Sequence, residues 1–168
     1  MKIDAHILLD AESLQLKAQR IAMELIEHYS HTEHLVFIGI NTRGHQFAHI
    51  LAHNIQAVLN LPIQIAQAEI DAQDVKCMLN TPITSATDIV IIDDVMNSGR
   101  TVFNLINSLH LQNVKSVRVA VTVDREHKRF PIHADFVGIA LSTSLHDYVE
   151  ILFESGQMVK AVNVQSIV

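Results

Sequence analysis

The segment Val90-Ile91-Ile92-Asp93-Asp94-Val95-Met96-Asn97-Ser98-Gly99-Arg100-Thr101 concentrates the residues able to do chemistry. An apolar run ends in two adjacent carboxylates, and a short polar turn with one glycine follows. That pattern reads as a buried strand handing over to a helix. Backbone N–H groups at the helix start, with the hydroxyls of Ser98 and Thr101, form a cradle for an anion. Gly99 lets the backbone approach the anion closely or take a positive φ. Carboxylates beside such a cradle repel the ligand unless it also offers hydroxyl donors or arrives with a divalent cation. A phosphorylated sugar with a free diol meets both conditions. Two acids alone would read as loop residues, and Asn97-Ser98-Gly99 alone as an ordinary turn. Their combination with strand and helix flanks is what points to a site.

The surrounding elements must hold that segment in place. Asp10 caps a helix predicted to run to about Tyr29, with Leu14, Ala18, Ile21 and Leu25 in one apolar stripe. Leu35 to Ile40 reads as a strand buried on both faces, and Asn41-Thr42-Arg43-Gly44 as a turn. A second helix follows with Phe47, Ile50, Leu51, Ile55 and Val58 on one side, stopping near Asn60-Leu61-Pro62. Ile63 to Gln67 reads as a strand, residues 70–87 as a polar loop, and Asp88 to Asp93 as the clearest buried strand. Gly99-Arg100-Thr101 opens a helix whose apolar side holds Val102, Leu105, Ile106 and Leu109. Val117 to Val123 and Phe136 to Leu141 are strand-like, and Tyr148 to Phe153 with Met158 to Val164 read as a hairpin around Glu154-Ser155-Gly156. Strands alternating with helices imply an α/β fold with a mostly parallel sheet covered on both faces. Ligands of such sheets bind outside the carboxyl ends of the strands, which singles out residues 41–45, 93–101 and the turn after Val123.

The segment from Val90 to Thr101 resembles the phosphoribosyl-pyrophosphate signature of type I phosphoribosyltransferases: four apolar residues, two acids, two apolar residues, then a small-polar-Gly-x-Thr loop. The resemblance implies that Asp93 and Asp94 hold the ribose 2′- and 3′-hydroxyls, and that Asn97, Ser98, Gly99, Arg100 and Thr101 hold the 5′-phosphate. Ile38 to Gly44 resembles the family's pyrophosphate loop, comprising Thr42, Arg43 and Gly44, with Arg43 facing the diphosphate. Val119 to His127, with Pro131 to Gly138, resembles one branch, the bifunctional pyrimidine operon attenuator and uracil phosphoribosyltransferase. The opening helix and Ser142-Thr143-Ser144 agree with that branch.

That likeness implies one domain over residues 1–168, a parallel core sheet flanked by helices, and a small hood from the N-terminal segment and the C-terminal strands. It implies transfer of ribose 5-phosphate from phosphoribosyl pyrophosphate to a nucleobase, uracil by the branch, with release of diphosphate. Arg43, Asp93 and Asp94 would be catalytic, while His133, Phe136 and Val137 would contact the base. Mg²⁺ would be held mainly by the donor and water, and the chain would form a homodimer or larger homo-oligomer. Three positions depart from the family pattern. Asn97 stands where purine relatives carry an Asp, and an amide cannot take a proton. Residues 70–88 lack the branch's Tyr-Arg-Asp-Asp run and hold a single cation, Lys76, so less covers the reacting centre. His133 replaces a Lys or Arg, and Leu145 and His146 replace residues that contact the base.

Composition bounds the alternatives. The chain has 168 residues, 49% of them hydrophobic, enough for one domain with a full core. Neither the apolar run from Leu35 nor that from Ile89 approaches the roughly 20 residues of a spanning helix. The start, Met1-Lys2-Ile3-Asp4, lacks an apolar signal region. One cysteine, Cys77, cannot make an internal disulfide, which points to a reducing, cytoplasmic setting. The alternative function is a regulatory protein of the attenuator type that binds the donor or a nucleotide and RNA. Lys115, Arg118, Arg125, Lys128 and Arg129 offer cations for it, yet a net charge of −6 argues against an electrostatic grip on RNA. A response-regulator-like acidic pocket would explain Asp93 and Asp94 but not the cradle after them. Of the eleven histidines, His45, His49 and His53 share a helical face; without Cys or a Glu after the first His they read as exposed helical residues rather than a metal site.

Overall fold

The computed structural model describes residues 3–71, 74–77, 79, 82–109, 113–142 and 147–166. Strand β1 (Ile3–Asp10) turns into helix α1 (Ala11–Tyr29), where the Asp10 carboxylate accepts from the Ser13 N–H at 2.8 Å and caps the first turn. β2 (His34–Ile40) passes directly into α2 (Asn41–Gln56), and β3 (Ile63–Asp71) is followed by β4 (Asp74–Cys77). β5 (Thr87–Met96) leads through a short turn to α3 (Arg100–Leu109). β6 (Ser116–Asp124), β7 (Phe136–Ala140), β8 (Asp147–Glu154) and β9 (Gln157–Ser166) follow.

Six strands form one sheet in the order β4-β3-β2-β5-β6-β7, parallel except for β4, which pairs antiparallel with β3 at the edge. β1, β9 and β8 form a separate antiparallel sheet in that order. Strand alternation divides the core in two. Val90 and Ile92 of β5 point with Phe37 toward α1 and α2, against Leu14, Leu25, Phe47 and Leu51. Ile89 and Ile91 point the other way with Val36 and Ile38, against Val102 and Leu105 of α3. All four of the β5 residues are fully buried, so the strand carrying the acids is firmly anchored. Truncating Phe47 or Leu51 to alanine there costs about 2–5 kcal/mol.

Several elements differ from the sequence expectation. β1 was not anticipated, because its pairing partner β9 lies at the far end of the chain. The expected turn at 41–44 is the first turn of α2. Asn41 alone redirects the chain, at φ 51°, and its Oδ1 accepts from the Ile70 N–H at 2.8 Å. α2 ends at Gln56, which leaves Val58 63% exposed instead of on the apolar side. Residues 70–87 are not one loop: Ile70 and Asp71 extend β3, and Val75 and Lys76 pair back on Ile70 and Glu69. Backbone hydrogen bonds supply this hairpin, so polar side chains without periodicity sufficed. β5 likewise runs past Asp93 to Met96, because its ladder with β6 continues to Met96 opposite Asp124.

At the opposite, amino-terminal end of β5, Asp88 is 3% exposed. It accepts from Ser116 Oγ at 2.6 Å, Lys115 Nζ at 2.9 Å and the Thr32 hydroxyl. Burial opposes its charge, but these donors outweigh burial and hold the carboxyl below the usual carboxylate value. A lowered folded-state value means stabilisation that is present above the unfolded value of 3.8 and lost as pH falls through the folded one. Asp88→Asn is therefore expected to cost about 1–2 kcal/mol at pH 7, and the gap from wild type should shrink below about pH 4. Urea unfolding at both pH values measures this; a gap independent of pH would remove the carboxylate charge from the account.

Candidate active site

The carboxyl ends of β2 and β5 meet the first turn of α2 and the turn before α3. Asp93 continues the Ile89-Ile91 face of β5 toward α3, while Asp94 continues the Val90-Ile92 face toward α2. The two acids are thus neighbours in sequence but serve opposite sides of the strand. Asp93 lines a cavity of about 330 Å³ together with Asn97, Ser98, Gly99, Arg100 and Thr101. Asp94 is 8% exposed and acts on the Arg43 guanidinium. The N–H of Asp94 donates to Asp93 Oδ1 at 2.9 Å.

The turn before α3 is locked from two sides. Gly99 takes φ +79°, and a Cβ there would lie 3.2 Å from Ile132 Cβ, so both conformation and space favour glycine. Ser98 Oγ accepts from the Arg100 N–H at 3.3 Å and Gly99 O from the Phe103 N–H at 3.0 Å, which starts the helix. The segment after β6 clasps the turn: the Arg129 and Phe130 N–H groups donate to Ser98 O at 3.0 and 3.1 Å, and Lys128 Nζ to Asn97 O at 3.2 Å. The Arg100 guanidinium lies 5.8 Å from the Phe130 ring centre. Arg129 lines the cavity with the five turn residues. The sequence alone offers it only as one of five cations for RNA. Its one available signal was position, in the turn after Val123 at a strand's carboxyl end.

Thr42, Arg43 and Gly44 form the first turn of α2. Gly44 lets this turn reach β5, since a Cβ on it would sit 2.4 Å from the Ile92 carbonyl oxygen and 3.2 Å from Asp93 Cα. The close approach brings the 42–44 turn beside the acid pair. Thr42 also borders a second cavity, of about 470 Å³, with Asn41, Gln67, Glu69 and Lys76 of the β3–β4 hairpin. Arg43 forms an ion pair with Glu150 of β8, a partner that sequence reasoning missed because it lies 107 residues away.

The base contacts fare differently. Phe136 is 7% exposed and packs beneath α1, its ring 6.0 Å from His28 and 6.5 Å from Tyr29. It opens β7 level with Ala120 of β6 and Ile92 of β5, and its ring belongs to the core on the α1 side. Val137 is half-buried in the core on the α3 side, and its carbonyl accepts from Arg20 at 2.6 Å. His133 is exposed in the segment before β7 and does not line the 330 Å³ cavity. Ser142 is exposed; Thr143, Ser144, Leu145 and His146 lie outside the described residues. His45 and His49 stack edge to face at 4.6 Å. Among the described residues, no group of three or more His, Cys, Asp or Glu is arranged to hold a metal.

Residues 4–153 match the family model described as the phosphoribosyl transferase domain. The chain belongs to the phosphoribosyltransferase family. The "Bifunctional protein PyrR" of Limosilactobacillus reuteri is 33% identical over 165 residues, spanning 89% of this chain and 92% of that protein. The protein of the same name from Staphylococcus aureus (strain bovine RF122 / ET3-1) is 32% identical over 170 residues, spanning 94% and 97%. Two solved structures share the fold: the Trypanosoma cruzi hypoxanthine phosphoribosyltransferase (TM-score 0.77, 16% identity, 92% of this chain and 94% of that one) and a Bacillus anthracis hypoxanthine-guanine phosphoribosyltransferase (TM-score 0.75, 17% identity, 95% and 99%). The expected fold class is thereby established.

The electrostatics of this phosphoribosyltransferase's acid pair are unfavourable when nothing is bound. Burial, then the neighbouring Asp94 charge, pushes the Asp93 carboxyl well above the carboxylate range. Burial raises Asp94 as well, against the pull of Asp93's hydrogen bond and of Arg43. Such a pair gains from a ligand bearing hydroxyl donors or a cation. For an acid, a raised folded-state value means that protons favour the folded chain. Stability is then lost as pH rises from about 4 through the folded value, and the loss is complete above it. Asp93→Asn keeps the acceptor for the Asp94 N–H and removes the buried charge. It is expected to raise ligand-free stability at pH 7 by about 1 kcal/mol, with the gain vanishing toward pH 4. Thermal melts across that range test it, and a variant less stable than wild type at pH 7 contradicts the account.

Proposed function

We propose that this phosphoribosyltransferase moves the ribose 5-phosphate of phosphoribosyl pyrophosphate to uracil and releases diphosphate. The observation that carries the donor reading is the single cavity shared by Asp93 and the Asn97–Thr101 turn. It supports a sugar whose diol meets a carboxylate while its 5′-phosphate meets backbone N–H groups at a helix start. Arg129 adds a cation on the phosphate side. Breaking the bond from the anomeric carbon to diphosphate leaves positive charge on the ring, so the chain has to orient the donor, neutralise the leaving group and keep water out. Asp93 holds the diol, Arg43 with the Asp94 charge beside it meets the leaving group, and the β3–β4 hairpin supplies cover on the diphosphate side. Asn97 takes no proton.

Magnesium fits this site as a partner of the donor. The described residues offer the paired acids but no closed set of ligands, so donor oxygens and water would complete its shell. Bound there, it would neutralise the diphosphate. Uracil is the acceptor favoured by the pyrimidine branch that the sequence resembles and by the PyrR relatives. The three-stranded sheet β1-β9-β8 would be the hood of a single domain over residues 1–168. Leu16 and Met23, seven residues apart on α1 and 58% and 52% exposed, support self-association as a homodimer or larger assembly. The free thiol Cys77 supports a reducing, cytoplasmic setting. No described helix is long and apolar enough to cross a membrane.

Catalysis is preferred over RNA binding because three of the cations near β6 are already paired with carboxylates. Lys115 pairs with Asp88, Arg118 with Asp135 and Lys128 with Asp124. The deciding experiment incubates the protein with phosphoribosyl pyrophosphate, magnesium and each of uracil, hypoxanthine and guanine, scored by diphosphate release. Release with uracil alone is expected. Release with a purine alone would replace the acceptor, and donor binding with no release for any base would support the regulatory alternative. In the same assay Asp93→Asn is expected to weaken donor binding at least tenfold, about 1.4 kcal/mol, in line with loss of a charged hydrogen-bond acceptor.

A further inference from the structure

We propose that Glu150 is a built-in competitor for the donor's diphosphate, holding Arg43 until the leaving group displaces it. The inference rests on the donor-site reading above and concerns a residue of the other sheet. β8 packs one face into the core through Val149 and Ile151, which are 2% and 0% exposed. Residues 148 and 150 alternate to the other face. From there the Glu150 carboxylate forms an ion pair with the Arg43 guanidinium, and the Tyr148 hydroxyl helps keep that guanidinium charged.

The charge arrangement gives this contact a consequence. Burial works against the charge on Arg43, but the hydrogen bond it donates to Glu150 and the charge of Asp94 outweigh it. Arg43 therefore serves two carboxylates in the ligand-free protein, with Asp93 close behind. A diphosphate approaching the 42–44 turn meets a cation that is already neutralised, and it has to compete for the guanidinium donors. The exchange is within reach because the pair is not sealed: the side chains are 41% and 26% exposed. A pair so placed contributes little to stability by itself and dissociates readily. A diphosphate offers more charge and more acceptor oxygens than one carboxylate, so the exchange runs toward the donor once the donor is present. Glu150 thus sets donor affinity from a strand that belongs to the neighbouring sheet, and it positions Arg43 without touching the reacting atoms.

The contact also predicts a selectivity between ligands. A nucleoside monophosphate has the ribose and the 5′-phosphate but no diphosphate, so it does not contest Arg43. Removing Glu150's charge should favour the donor and inorganic diphosphate while leaving the monophosphate unaffected.

Calorimetric titrations of wild type and Glu150→Gln with phosphoribosyl pyrophosphate plus magnesium, with magnesium diphosphate and with uridine monophosphate test this. The variant is expected to bind donor and diphosphate roughly two- to fivefold more tightly, with monophosphate affinity unchanged and the donor KM lowered more than kcat. Glu150→Ala should move all of these in the same direction and serves if the glutamine variant does not fold. Equal or weaker donor binding by the variants overturns the proposal. So does tighter binding of all three ligands alike, which would mean a general loss of negative charge and no competition at Arg43. If wild type binds none of them, the donor-site reading itself fails, an outcome distinct from a competitor that has no effect.

Discussion

Two carboxylates at the carboxyl end of the central strand set the terms for the rest of this molecule. Burial acts against both charges, and the pair raises the cost further because the groups are adjacent. A fold keeps such a pair only when the strand carrying it is anchored well enough to offset the penalty. β5 meets that condition: Ile89, Val90, Ile91 and Ile92 are fully buried, with helices on both faces and parallel neighbours on both edges. Strain at a site, offset by a core elsewhere, is the usual arrangement where binding and stability make opposite demands.

From that strand the geometry of the site follows by alternation and close approach. Alternation sends Asp93 to the α3 side and Asp94 to the α2 side, so the same dipeptide serves a phosphate turn and a guanidinium. Gly44 lets α2 begin against the Ile92 carbonyl, and Asn41 allows the chain to pass from β2 into that helix in one residue. The segment after β6 then closes on the Ser98 carbonyl through two backbone N–H groups. Each contact is short-ranged, and each fixes backbone before side chains. That is how a site for a flexible, highly charged sugar is kept in shape before the sugar arrives.

Acid–base behaviour differs at the two ends of β5. Asp88 at the amino-terminal end has donors from Thr32, Lys115 and Ser116, and its carboxyl lies below the ordinary value. Asp93 at the carboxyl end has one backbone donor and a neighbouring charge, and its carboxyl lies well above it. Both are acids on one buried strand. The number of donors each finds separates a structural carboxylate from one that awaits a ligand.

What the sequence by itself determined is whatever depends on local pattern. The α1 stripe of Leu14, Ala18, Ile21 and Leu25, the buried run into Asp93, the Ser98-Gly99 turn opening α3 and the hairpin around Ser155-Gly156 are all legible there. Periodicity, capping and turn chemistry act over a few residues. The family signature at 90–101 is legible for the same reason, being one contiguous stretch. Only the tertiary structure decided that β1 pairs with β9, that Arg129 enters the phosphate cavity, that Phe136 belongs to the core beneath α1, and that Glu150 meets Arg43. Those outcomes join residues far apart in the chain, or depend on which layer a strand's side chain faces. Neither is written in local spacing, because both are fixed by how the sheet orders and registers its strands.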